Sequence, residues 1–315
     1  MKRPVVVALN PSIDAEWRVA GVRWEEKNNV LAERRWAGGK GVNVARWLKH
    51  LGENPQLILP LGGTSGRELA ALLRVEKISA TVIRLGQFPS SEGLGVGSSD
   101  HSTRVNVIVS TKAQGQLRFN PLGPLLSKRE WQMTLACVRA ALHHASCMIL
   151  SGSLPRGVPM NAYAQLIRLA RAAKVPVLLD CDGPALAAAV SAKPFLVKPN
   201  DHELAGWARS AGLPTGLGEA SLRRAACALA RATHGWVLVS RGAKPALLVN
   251  VTQSIELTAT PPKIKPRNTV GAGDSLLAAV AQQIIHHAPP EAWLGAGLAN
   301  GSKATQLPAG ELPVR

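Results

Sequence analysis

Acidic residues are scarce in this chain of 315 residues: 20 Asp and Glu stand against 37 Lys and Arg, a formal net charge of +17. Such a balance favours anionic partners, whether nucleic acid, a membrane surface or phosphorylated metabolites. Aromatics are scarcer still, at 4%, which leaves a base-stacking platform poorly supplied. The basic residues form no block, the tightest clusters being pairs such as Arg34-Arg35 and Arg223-Arg224, so nucleic acid is not the expected partner. Only four cysteines occur, Cys137, Cys147, Cys181 and Cys227, without CxxC spacing. That excludes a disulfide-stapled miniprotein and argues for reduced, buried thiols over a zinc site. No apolar run reaches the ~18 residues of a membrane span. The opening Met1-Lys2-Arg3-Pro4 enters an apolar run of only Val5 to Leu9 before Asn10-Pro11, which suits a strand and not a signal peptide. A cytoplasmic protein without membrane partners is expected.

What is present is apolar material, 46% of residues, enough for a sizeable core and too much for a disordered chain. Short apolar runs recur at Val5-Leu9, Gln56-Leu61, Ala80-Leu85, Cys147-Ser151, Val175-Asp180, Phe195-Lys198, Trp236-Ser240 and Ala246-Asn250. Several are apolar almost throughout, as in parallel strands covered on both faces. Helical patterns lie between them, at Val42-Leu51, Glu68-Lys77, Lys128-His143, Asn161-Lys174, Ser221-Thr233 and Ser275-His287. This alternation predicts an α/β fold with a mostly parallel sheet and ligands beyond the carboxyl ends of its strands. Two stretches break the rhythm, Ser12 to Trp36 and Phe88 to Thr111. Both suit β excursions, with strands at Gly93-Gly97 and Arg104-Val109, forming a small sheet over the strand ends as a lid. No linker or repeat divides the chain, so residues 1–315 are expected to form one domain.

Two glycine-rich segments carry chemistry. Asn268-Thr269-Val270-Gly271-Ala272-Gly273-Asp274-Ser275 opens a helical run. Small residues at a helix N-terminus let backbone N–H groups approach an anion, and the dipole favours it. An aspartate there makes sense if it takes a proton from an attacking hydroxyl while the N–H groups hold phosphoryl oxygens. The plainer alternative makes Asp274 a helix cap. The second segment, Ala37-Gly38-Gly39-Lys40-Gly41-Val42-Asn43-Val44-Ala45-Arg46, is neither a P-loop nor a GxGxxG fingerprint. It suits a loop that binds a polyol with Lys40 near a phosphate, or else a tight turn with a solvated lysine.

With these segments in view, the chain resembles a PfkB-type carbohydrate kinase of the ribokinase superfamily, in the branch of 1-phosphofructokinase and tagatose-6-phosphate kinase. The likeness runs nearly end to end, in order: Asn10-Pro11-Ser12-Ile13-Asp14, Gly38 to Arg46, Thr103-Arg104-Val105-Asn106, Ser151-Gly152-Ser153-Leu154-Pro155-Arg156-Gly157, Lys198-Pro199-Asn200-Asp201-His202-Glu203, Ser240-Arg241-Gly242-Ala243-Lys244 and Val270-Gly271-Ala272-Gly273-Asp274. The resemblance implies a three-layer α/β/α sandwich with a small β lid. It implies Asp274 as catalytic base and Gly271, Ala272 and Gly273 as an anion hole. Asp14, Gly38, Gly39, Asn43, Asn106 and Ser151 would bind the sugar, with Lys40 and Arg104 on its phosphate through charge-assisted bonds. Lys198, Asn200, Glu203, Ser240, Gly242, Thr269 and Asn300 would serve ATP, with Asn200 and Glu203 organising Mg2+ through water. Alone, Lys40 and Arg104 could be solvated charges, and Asn200 and Glu203 could merely start a helix.

The resemblance has departures. Pro245 stands near a usual second glycine, Leu117 and Arg118 replace a Thr-Glu pair before Asn120-Pro121-Leu122-Gly123-Pro124, and Asp180-Cys181-Asp182-Gly183 replaces Asp-Thr-Ser-Gly. The expected reaction is ATP-dependent phosphorylation of fructose 1-phosphate to fructose 1,6-bisphosphate, with tagatose 6-phosphate or fructose 6-phosphate as the alternative acceptor. A homodimer through the lid is implied as well. The rival of another class, a nucleic-acid-binding or regulatory protein on a retained kinase fold, rests on the charge of +17.

Overall fold

Uncharged runs such as VVV, LILPL and VLL have only one stable use: each must bury both faces, and so each becomes an interior strand. The computed structural model describes residues 2–86, 101–111, 115–214, 216 and 218–313. The first third of the chain forms β1 (Arg3–Val7), β2 (Ser12–Val19), β3 (Val30–Gly38), α1 (Lys40–His50), β4 (Gln56–Leu61), α2 (Gly63–Val75), β5 (Ser79–Arg84) and β6 (Arg104–Ser110). The middle forms β7 (Gln116–Phe119), α3 (Lys128–Leu142), β8 (Ala145–Ser151), α4 (Ala162–Ala172), β9 (Val177–Asp180), α5 (Gly183–Val190), β10 (Leu196–Val197) and α6 (Asp201–Ser210). The last third forms α7 (Glu219–Thr233), β11 (Trp236–Val239), β12 (Ala246–Asn250), β13 (Ile255–Ala259), α8 (Ala272–Ile285) and α9 (Pro290–Thr305).

The main sheet runs β13-β12-β11-β10-β9-β8-β1-β4-β5. It is parallel from β5 to β11, and only β12 and β13 run antiparallel. Alternate residues of one strand feed two separate cores, as the period of two requires. Val5, Val7, Met148, Leu150 and Leu179 join the core under α3 to α7. Val6, Cys147, Ile149 and Leu178 join the core under α1, α2, α8 and α9. The mostly parallel sheet expected from the alternation of strands and helices, and the three layers that the family resemblance implies, are therefore present.

The four cysteines are free, and burial pushes the Cys147 thiol up to about 12. Among the described residues no helix is long and apolar enough to cross a membrane.

The excursion from Ser12 to Trp36 is β2 and β3, which pair antiparallel; β2 also pairs parallel with β6. The strand expected at Gly93-Gly97 lies outside the described residues. The lid sheet extends beyond Thr111: β7 returns antiparallel on β6, giving the order β3-β2-β6-β7. Gln116–Phe119 is short and exposed throughout, so it has no buried stripe to announce it. Helices α5 and α9 and strand β13 also went unmarked by periodicity. In α9 the glycines Gly295, Gly297 and Gly301 weaken the helical pattern, and packing against α8 decides the matter.

Candidate active site

Parallel strands present their carboxyl ends on one edge, and the candidate residues collect there. Ser151 and Asp180 end β8 and β9, Lys198 follows β10, and Ser240 follows β11. From the other side the N-termini of α1 and α8 arrive, bringing Lys40, Asn43 and Asp274.

Gly271 caps α8 in the left-handed conformation, φ 77°, with no side-chain cap. This removes the reading of Asp274 as a cap. Ser275 is the first residue whose N–H finds an acceptor in the turn, at Gly271 O, 2.9 Å. The N–H groups of Ala272 and Gly273 lie in the first turn, where helix geometry supplies no intrahelical acceptor. The Asp274 carboxylate, 6% exposed, instead accepts from Asn43 Nδ2 at 2.8 Å. Burial and repulsion from Asp180 push its carboxyl up to about 6, against the opposing pull of the Asn43 hydrogen bond, Lys40 and Lys198. A carboxyl so placed is ionised near neutral pH yet still basic enough to take a proton.

Beside it lies a charge cluster. Asp180, 1% exposed, sits between Lys40 Nζ at 3.4 Å and Lys198 Nζ at 3.5 Å. Burial works against its charge, but Lys198 and Lys40 outweigh that and hold the carboxyl below the usual range. Lys40 also reaches Glu203 Oε1 at 3.4 Å. Burial would lower its ammonium, yet Asp180, Glu203 and Asp274 lift it above the ordinary lysine range. A Cβ on Gly273 would lie 3.5 Å from Lys198 Nζ, so this buried ammonium overhangs the first turn of α8. Asn200 and Glu203 do start a helix, through a capping box at α6. The box uses Asn200 Oδ1 and Glu203 Oε2 and leaves Glu203 Oε1 toward Lys40. Lys40 thus stands with the acidic cluster.

The lid supplies a second group. Asp14 Oδ1 accepts from Ser12 Oγ and from Asn106 Nδ2, each at 2.8 Å. Burial outweighs these bonds, and the carboxyl is raised. Gly38 is required opposite, because a Cβ there would collide with the Asp14 carboxyl. Asn106 Oδ1 is buried with no partner among the described residues. Arg104 donates to the carbonyls of Asn10 at 3.0 Å and Pro121 at 3.1 Å. Its Nε is buried without a partner among the described residues, and burial lowers the guanidinium below the ordinary arginine range. Among the described residues its hydrogen bonds go to neutral carbonyls, and the nearby Asp14 carboxylate is the one charge that favours the cation, without offsetting burial.

Other candidates sit at the rim or outside it. Gly39 precedes α1 at φ 90°. Ser151 Oγ lies 3.5 Å from Asp180 Oδ2. Ser240 bridges to Asn200, Gly242 lies in the turn closed by Lys244 N on Arg241 O, and Thr269 is exposed before α8. Pro245 fits this turn, its carbonyl accepting from Arg241 Nη1 at 3.2 Å. Asn300 donates to Ser275 O at 2.8 Å, which ties it to the packing of α9 on α8. Asp180 joins this group although the sequence marks it only as a departure; its signal is an acid closing an apolar strand at the ligand-binding edge.

The sequence model of the pfkB family carbohydrate kinases matches residues 10–313. The chain belongs to this family. The PfkB chain is 36% identical over 313 residues to a 1-phosphofructokinase of Rhodobacter capsulatus, covering 98% of this chain and 90% of that protein. It is 31% identical over 309 residues to ATP-dependent 6-phosphofructokinase isozyme 2 of Escherichia coli, covering 97% and 93%. Among solved structures, phosphofructokinase-2 of Escherichia coli in complex with potassium superposes with a TM-score of 0.87 at 30% identity, covering 99% of this chain and 95% of that one. The PfkB chain is thus an ATP-dependent sugar kinase, a phosphotransferase with a ribokinase-like fold.

Proposed function

We propose that this kinase phosphorylates fructose 1-phosphate at its 6-hydroxyl, forming fructose 1,6-bisphosphate and ADP. Arg104 carries the proposal: a half-buried guanidinium on the lid, whose hydrogen bonds among the described residues go to the carbonyls of Asn10 and Pro121, gains most from a phosphate. Asp14 and Asn106 beside it offer an acceptor and a donor to sugar hydroxyls, with Gly38, Gly39 and Ser151 shaping the floor. At the far end Asp274 takes the hydroxyl proton as the oxygen attacks the γ-phosphoryl of ATP. Asn43 orients that carboxylate, and the N–H groups of Ala272 and Gly273 receive the phosphoryl oxygens. Lys198 and Lys40 balance the charge of the transferring group, a role for Lys40 that follows its place between Asp180 and Glu203. Ser240, Gly242 and Thr269 border the nucleotide.

The acidic cluster fits a family requirement for Mg2+. Among the described residues no three His, Cys, Asp or Glu side chains group as a metal cage, which suits an ion held mainly by ATP phosphates and water. Glu203, braced by Asn200, would hold such water. Mg2+ would supply charge neutralisation of the phosphates.

Initial rates with equal concentrations of fructose 1-phosphate, fructose 6-phosphate, tagatose 6-phosphate, fructose and ribose test the acceptor. The highest kcat/KM is expected for fructose 1-phosphate. Fructose 6-phosphate in first place would make the Escherichia coli relative the better guide to substrate, and ribose or fructose in first place would remove the phosphate role of Arg104.

The pH profile tests the base. Asp274 must be ionised to accept a proton, and its carboxyl titrates near about 6. Turnover is therefore expected to be level above that pH and to fall about tenfold per unit below it. The same upward shift, from 3.8, means the folded chain holds this proton more tightly than the unfolded one. That contribution to stability is full below 3.8 and lost as pH rises through about 6.

The kinase is proposed to work as a cytoplasmic homodimer through the lid. Val30, Leu31, Leu117 and Phe119, on the sheet's edge strands β3 and β7, are exposed apolar side chains. Sedimentation should give twice the chain mass, and Leu31→Asp with Phe119→Asp should return the monomer. A wild-type monomer would refute this assembly.

A further inference from the structure

A second cavity of about 440 Å³ opens on the edge of the main sheet opposite the reaction site, at the amino ends of β9, β10 and β11. Its volume lies within the roughly 300–1,000 Å³ of small-molecule sites. The turn leading into each of these strands carries a basic residue in the left-handed conformation: Lys174 at φ 56°, Lys193 at φ 58° and His234 at φ 53°. Glycine is the usual occupant of such helix ends, since a Cβ there is strained. Three basic side chains in that position, on three separate turns, line one hollow together with Arg171.

Basic residues at helix ends have an ordinary use, since the dipoles of α4, α5 and α7 favour cations there. Two features exceed it. No carboxylate lines the cavity, and Lys174, Lys193 and His234 form no ion pair with a described residue. The cations also surround a concavity with a half-buried aromatic wall at Phe195. Arg171 is fixed in place by its Nη1 bond to Ala192 O, 3.0 Å. We infer that this cavity binds a small phosphorylated metabolite, its phosphate on Lys174, Lys193 and Arg171 and its carbon skeleton against Phe195. The site is separate from the reaction: Val177, which lines it, starts β9 and Asp180 ends that strand, roughly 10 Å further along.

Calorimetric titration with inorganic pyrophosphate tests the inference, using the full chain with its nucleotide site filled by a non-hydrolysable ATP analogue. The wild type is expected to bind pyrophosphate with an affinity that falls as salt rises. Lys174→Gly with Lys193→Gly removes two cations while suiting the left-handed backbone, so the variant keeps its fold. It should weaken binding about tenfold or more, with kcat and Tm retained, and Lys174→Arg with Lys193→Arg should bind as the wild type does. No heat of binding in the wild type, or equal affinity in the glycine variant, would overturn the site. These outcomes are independent of which sugar the kinase accepts.

Discussion

Asp274→Asn is expected to lower kcat by about 10²-fold or more, because a positioned general base contributes on that order and an amide cannot take the proton. The side chain keeps its size and its place beside Asn43, so the affinity for ATP should be mostly retained. Stability separates this from misfolding. At pH 7.5 the native carboxylate is charged where burial and Asp180 both disfavour charge, so a neutral amide should leave Tm unchanged or raise it. Kinetics at saturating substrates, binding of a nucleotide analogue and a melting curve together make the test. Near-normal turnover in this variant would remove Asp274 from the proton transfer, and loss of Tm together with turnover would mean the carboxylate is a structural anchor.

Arg104→Ala is expected to raise KM for the phosphosugar by about 10- to 100-fold, the range of roughly 1.5–3 kcal/mol for a hydrogen bond to a charged group. KM for ATP should stay within about twofold. The variant also strips a donor from the carbonyls of Asn10 and Pro121, so some stability will be lost with it. A neutral acceptor isolates the phosphate term: kcat/KM for unphosphorylated fructose should change far less than that for fructose 1-phosphate. An equal loss on both acceptors would assign Arg104 to the architecture of the lid, and an unchanged sugar KM would place the phosphate elsewhere.

The main sheet was legible because its signal is local. A strand such as Val177–Asp180 must bury both faces, and that demand is written in consecutive residues. The same holds for the start of α8, where Gly271, Ala272 and Gly273 open a helix without a capping side chain. Elements lacking a local signature escaped. β7 is exposed along its length and exists because β6 offers it a partner, while α9 is diluted by glycine and is completed by α8.

At the site, the sequence alone determined the residue types and their order: an aspartate behind a glycine turn, a lysine at the head of α1, an arginine on a lid strand. Only the tertiary structure decided which of them meet. Asn43 finds Asp274 across 231 positions, and Lys40 finds Asp180 and Glu203 across 140 and 163. Thus a lysine expected beside a sugar phosphate finds two carboxylate partners, and an aspartate noticed only as a departure becomes the centre of that cluster. The reason is physical: backbone preference and burial act between near neighbours, whereas the charge a group holds depends on partners that the packing of distant strands and helices brings to it.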